Sequence, residues 1–132
     1  MTKLILVAFA FAGSTAIAST PGYDLKIELS MNGKRISSPH VIAKAGETAT
    51  FTEKTNTEER FIEVIATEGE IQGNKGIMMN FVVGMIGKDG QRTIVSQPQI
   101  LARENEKAEI TVGQDSDKET LSLSVVATRK VL

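Results

Sequence analysis

Residues 39–52 read PHVIAKAGETATFT, and residues 98–111 read PQILARENEKAEIT. Pro39, Ala43, Glu47, Ala49 and Thr52 recur as Pro98, Ala102, Glu106, Ala108 and Thr111. Val41, Ile42, Lys44 and Phe51 recur as Ile100, Leu101, Arg103 and Ile110. A proline has no N–H to donate to a ladder, so each copy opens at a strand start or on a sheet edge. Gly46 and Asn105 stand where a chain must turn, and an Ala-x-aliphatic strand follows. A repeat of this kind points to architecture before chemistry.

The repetition extends outward from these segments. Leu25, Ile27, Leu29 and Met31 alternate with Lys26, Glu28 and Ser30, the period-two pattern of a half-buried strand. Asn32-Gly33 follows, and both central residues of a tight hairpin turn need positive φ. Ile77, Met79, Phe81, Val83 and Met85 alternate in the second copy, with Met78, Val82 and Ile86 making its other face apolar too. That strand is expected to be buried on both faces. Asp89-Gly90 then takes the place of Asn32-Gly33, and Val125-Val126-Ala127-Thr128 echoes Val64-Ile65-Ala66-Thr67. The spacing between copies is 57 residues at the hairpin, 59 at the proline and 61 at the last strand. Small loop insertions account for the drift.

The expected fold is therefore all-β, with two modules of about five strands each, residues 23–67 and 77–128, joined by a polar, glycine-containing linker at 68–76. Neither module alone buries enough apolar surface to offset its chain entropy. Packed face to face they share one core, as a β-sandwich or flattened barrel related by a pseudo-twofold. No segment carries a 3.6-residue apolar stripe.

Residues 1–18 read as a secretory leader. Lys3 gives a positive start, Leu4 to Ala12 is uncharged and apolar, and Ala16-Ile17-Ala18 is a small-x-small cleavage signal. The apolar run is shorter than the ~20 residues that a span needs. Cleavage leaves a single β domain, residues 19–132, with 14 basic residues against 16 acidic ones. Such a balance speaks against nucleic-acid or anionic-membrane binding. The chain has no cysteine and no tryptophan. Export without disulfides leads us to expect a bacterial periplasmic or secreted protein with no stable membrane insertion.

Few residues remain for chemistry. His40 is the one histidine, so a multi-histidine metal site is excluded. A pairing of His40 with Ser37 or Ser38 has no echo in the second copy, where Gln99 replaces the histidine. Glu58-Glu59 and the pair Asp115 and Asp117 read as solvated loops without the regular oxygen spacing of a calcium hand. Glu47 and Glu106 sit just after turns, where a cross-strand pair with Lys44 or Arg103 explains them. Gly73, Gly76, Gly84 and Gly87 form no phosphate loop. Met78 and Met79 fall in the most apolar strand and read as core. No catalytic, cofactor-binding or metal-binding residue is assigned, and no cofactor is expected.

PQILARENEKAEITVG, residues 98–113, resembles a strand–turn–strand motif of bacterial secretins, the outer-membrane pore proteins of type II and type III secretion. The residues that carry the likeness are Pro98, Ile100, Asn105, Glu106, Ala108, Ile110, Val112 and Gly113. A weaker copy runs through Pro39, Val41, Gly46, Glu47, Ala49 and Phe51. The resemblance implies an envelope protein with a secretin-like hairpin, and no pore function in so short a chain. The leading expectation is a non-enzymatic binding module with an envelope partner on an exposed strand edge. The alternatives are an accessory component of a secretin or envelope secretion complex, and an acid-based hydrolase.

Overall fold

The structure, a computed structural model, describes residues 20–114 and 119–132. The expected leader, and Asp115 and Asp117, lie outside the described residues. Among the described residues ten strands follow one another: β1 (Pro21–Met31), β2 (Lys34–Ser37), β3 (His40–Lys44), β4 (Thr48–Lys54) and β5 (Glu59–Ile71). The second copy supplies β6 (Asn74–Ile86), β7 (Arg92–Ser96), β8 (Gln99–Ala102), β9 (Ala108–Gln114) and β10 (Glu119–Val131). They form two antiparallel sheets packed as a sandwich, not closed into a barrel. Among the described residues no helix is long and apolar enough to cross a membrane.

The two modules do not each make a sheet. Sheet one runs β9–β10–β1–β2, with β3 also paired to β1; sheet two runs β4–β5–β6–β7, with β8 also paired to β6. Each sheet thus takes three strands from one repeat and two from the other. The crossing happens inside the repeated motif. β3 belongs to sheet one and β4 to sheet two, while β8 belongs to sheet two and β9 to sheet one. The two stretches expected as hairpins are corners that carry the chain between layers. Gly46 (φ 78°) and Asn105 (φ 66°) turn these corners in the left-handed region. Gly46 N–H donates to Ala66 O at 2.9 Å, and Asn105 N–H donates to Ala127 O at 2.8 Å, so both corners are tied identically.

The prolines are equivalent as well. β2 and β3 lie end to end along one side of β1, and β7 and β8 along one side of β6. Pro39 and Pro98 fill the two gaps. Their carbonyls accept from Ile27 N–H and Phe81 N–H, both at 2.9 Å. Each proline thus accepts from the neighbouring strand without donating back, which is tolerated at a strand start on a sheet edge.

Residues 68–76 are not a linker. β5 runs on to Ile71, Gln72-Gly73 makes a two-residue turn, and β6 starts at Asn74. Gly73 turns the chain at φ 80°, while Gly69 and Gly76 reflect crowding rather than slack. Gly69 faces Gly76 across the ladder. A Cβ on Gly69 would lie 2.7 Å from Leu101 Cδ1, and one on Gly76 would lie 3.2 Å from Ala102 O. The second hairpin also departs from its expected form: β6 and β7 are joined by Gly87–Gln91, with Gly90 N–H donating to Gly87 O at 2.9 Å.

The core is filled from both layers by Tyr23, Leu25, Ile27 and Leu29 of β1, facing Ile77, Met79, Phe81 and Val83 of β6. Ile62, Val64 and Ala66 of β5 and Leu123, Val125 and Ala127 of β10 complete it. β6 is not buried on both faces as expected. Met78, Val82 and Ile86 are half-buried on the outer face of sheet two, which no further layer covers among the described residues.

Candidate functional site

The duplicated fold gives a way to separate scaffold from surplus. Where the two copies keep the same chemistry, the architecture requires it. Where they diverge at equivalent positions, it does not. Register makes the equivalences explicit. Tyr23 lies opposite Ala43 and Ile77 opposite Ala102; Asp24 lies opposite Ile42 and Met78 opposite Leu101.

The outer faces differ sharply. β1 presents Asp24, Lys26 and Glu28 where β6 presents Met78, Asn80 and Val82. On β5, Phe61 is buried on this outer side, with the Arg92 guanidinium 4.3 Å from its ring centroid. Arg92 Nη1 also reaches Glu63 Oε2 at 2.7 Å. Gly84 lies opposite Phe61 and leaves room for the ring, since a Cβ there would sit 2.6 Å from it. Ile65 and Leu101 are exposed nearby. Sheet two therefore carries an open apolar face that sheet one lacks.

The edges differ in the same sense. β4 and β9 lie against the opposite layer at the corners, next to β3 and β8. β2 and β7 pack chiefly on β1 and β6, and among the described residues no strand pairs with their outer edges. β2 carries Lys34 and Arg35, charges that discourage strand pairing. β7 carries Ile94 and Val95 instead, 54% and 49% exposed. A β-bulge at Val95 interrupts the β6–β7 ladder between Ile94 and Ser96, and among the described residues no strand pairs with the outer edge of β7.

A polar cluster closes one end of the sandwich. Glu68 and Arg129 occupy equivalent positions, each following an Ala-Thr pair, and meet across the core. Arg129 donates from Nη2 to Glu68 Oε1 at 2.8 Å and from Nε to Glu68 Oε2 at 3.0 Å. Tyr23 Oη donates to Glu68 Oε2 at 2.6 Å, and Arg129 Nη1 donates to Glu104 Oε1 at 2.9 Å. Burial, then the Glu68 carboxylate, pushes the Tyr23 hydroxyl up to about 12. The hydrogen bonds from Arg129 and Tyr23 hold the Glu68 carboxyl below its usual range. Glu68, through its own hydrogen bonds, raises the Arg129 guanidinium further. Each of these groups has a partner inside the cluster, which ties β1, β5 and β10 together at that end. The signal in the sequence was the opposite charge of Glu68 and Arg129 at matched positions, legible only once residues near a pseudo-axis are known to meet. At the other end, Arg60 lies buried between Glu53 and Glu58.

The residues weighed from the sequence are dispersed. His40 is exposed on β3, with Nε2 2.5 Å from Asp24 Oδ1 rather than beside a serine. Ser37 is buried opposite Leu29. Glu47 and Glu106 sit exposed in different corners. Glu58 pairs with Arg60, and Glu59 lies in register with Ile86. Met79 is core as expected, while Met78 faces outward. Among the described residues no three His, Cys, Asp or Glu gather in a metal-binding group. Comparison with known proteins returned no match: no family model, no curated protein and no solved structure aligns with the chain.

Proposed function

We propose that this protein is a non-enzymatic, exported binding module of the bacterial periplasm that takes up an extended segment of a partner protein along the open edge of β7. The observation that carries the reading is β7 itself, paired to β6 on one side, without a strand partner on the other among the described residues, and bearing the exposed side chains of Ile94 and Val95. An incoming strand gains main-chain hydrogen bonds there and covers apolar side chains in the same step. The leader-like residues 1–18 support export. The exported chain is expected to begin at Ser19 by N-terminal sequencing; retention of Met1 on a cytoplasmic chain overturns that part.

The binding test compares wild type with Val95→Lys as bait in envelope extract. The expected result is a partner held by wild type and lost from the variant. Equal recovery on both, or none on wild type, removes the reading. The likeness of residues 98–113 to secretins favours a narrower second version, in which the partner is the pore of a secretion complex. Co-purification with a secretin supports that version, and indifference to every secretin present removes it.

A further inference from the structure

The geometry points to a binding groove for a small amphipathic anion on the outer face of sheet one, in the layer that does not contain β7. Lys26, Ser38, Pro39, Lys107, Ser124 and Val126 line a groove there of about 430 Å³. Ligand sites span about 300–1,000 Å³. Strand register lays out its floor. Val126 lies opposite Lys26, and Lys26 opposite His40. Lys107 precedes Ala108, which lies opposite Val125, and so continues the row beside Val126. Neighbouring strands lie about 4.8 Å apart, so the two lysines stand about 10 Å apart with Val126 between them. Of the acids nearby, Asp24 is held by His40 at 2.5 Å and Glu28 by Arg35 at 3.4 Å, and Glu109 forms no ion pair with Lys107. Among the described residues neither Lys26 nor Lys107 makes an ion pair. Ser124 is 6% exposed although it faces outward, and its hydroxyl reaches Glu28 Oε1 at 3.5 Å, a long contact for an O–H donor.

The other copy shows that the scaffold does not need these charges. The equivalent row on sheet two is Thr48, Ile65, Asn80 and Gln99, in register across four strands. No basic side chain stands in it, and Gln99 Nε2 donates to Asn80 Oδ1 at 2.8 Å. The counterpart of Ser124 is Glu63, which Arg92 binds at 2.7 Å. The same backbone thus carries a neutral row in one layer and two unpaired ammonium groups flanking an apolar residue in the other. An acidic group held between the lysines gains charge-assisted hydrogen bonds from both. A ligand that reaches both must lie across Val126, so an apolar body beside its acidic group adds burial. Lysine meets carboxylate and phosphate alike as a point charge, so the shared requirement is one acidic group on an apolar body.

The test titrates the purified protein with hexanoate, hexyl phosphate and hexanol, and follows binding by backbone amide NMR shifts. None of the groove residues belongs to β7, so the result is independent of the strand-binding reading. Wild type is expected to bind at least one of the two anions saturably, with shifts centred on Lys26, Ser124 and Val126, and hexanol ~10-fold more weakly or less. Preference for hexanoate supports a carboxylate ligand, and preference for hexyl phosphate supports a phosphate ester. Lys26 and Lys107 are exposed, so Lys26→Gln and Lys107→Gln should fold as wild type. Each is expected to weaken anion binding by ~10-fold, about the worth of one charge-assisted hydrogen bond. Lys75→Gln removes the same charge beside the β5–β6 turn and is expected to leave binding unchanged. Absence of saturable binding by both anions overturns the inference, as does hexanol bound as well as they are. Shifts centred on sheet two, or equal weakening by Lys75→Gln, overturn it as well.

Discussion

At the residue scale, the most telling group is Tyr23, the chain's single tyrosine. With no tryptophan present, its ionisation can be followed alone by ultraviolet absorbance. The expected midpoint in the folded protein is about 12, against about 10 once the chain is unfolded. The fold thus favours the neutral phenol. Its contribution to stability is fully present below pH ~10 and is lost as pH rises toward the folded value. Each pH unit between the two midpoints corresponds to about 1.4 kcal/mol. Glu68 works in the opposite direction. Its folded value lies below the ordinary 4.5, so its contribution is present above that pH and is lost as pH falls through the folded value. Glu68→Gln is expected to lower the tyrosine midpoint while leaving it above the unfolded value, because burial is the larger cause. A midpoint unchanged by the substitution would show that Glu68 does not act on Tyr23. Glu68 and Arg129 were not legible as partners in the sequence, since 61 residues separate them and the contact depends on which strands cross the core.

At the scale of elements, alternation located most strands, and the motif residues had the backbone roles their chemistry suggests. Pro39 and Pro98 sit on edges, and Gly46 and Asn105 turn corners. What alternation misjudged were the ends. Glu68 to Gly76 is polar and glycine-rich, which reads as linker, yet it is ladder, with Glu70 opposite Lys75. Its glycines answer neighbours from β8, which local sequence does not reveal. Gly84 follows the same logic. A Cβ there would lie 2.4 Å from Thr93 O and 2.6 Å from the Phe61 ring. Gly84→Ala is expected to cost about 1–3 kcal/mol in denaturant unfolding, as overpacking does, and to loosen β7 from β6. An unchanged midpoint would mean that the Phe61 ring moves freely, and that Arg92 does not hold it. Similarly, the second apolar face of β6 suggested burial on both sides. The face is apolar, but among the described residues no layer lies over it, so the pattern marked a surface rather than a core.

At the scale of the whole molecule, the chain is a duplicated β-sandwich in which neither copy stands alone as a layer. Thr20 and Leu132 lie where the pseudo-twofold places the β5–β6 turn. Leu132 N–H donates to Thr20 O at 2.9 Å, so β10 and β1 approach like the two arms of that hairpin. A circular permutant that joins Leu132 to Thr20 through a short turn and opens the chain between Gln72 and Gly73 is expected to fold, with its circular dichroism spectrum unchanged. Failure to fold would show that the long β5–β6 hairpin must form first and cannot be replaced by its pseudo-equivalent. The permutant keeps β7 intact, so it should also keep whatever the β7 edge binds.

The sequence by itself determined the all-β class, the duplication, the strand faces and the residues that turn the chain. These follow from period-two patterning and from backbone limits on proline and glycine, which act over a few residues. Only the tertiary structure decided that the repeats interleave, that the repeated motif is a corner between layers, and that Glu68 meets Arg129. It also decided which apolar residues remain uncovered. Alternation specifies which side of a strand is apolar but not which strand lies beside it or what lies above. Nothing in the local sequence sets Ile94 and Val95 apart. Their significance comes from the lack of a strand neighbour on one side of β7 among the described residues, and that is a property of the assembled sheet.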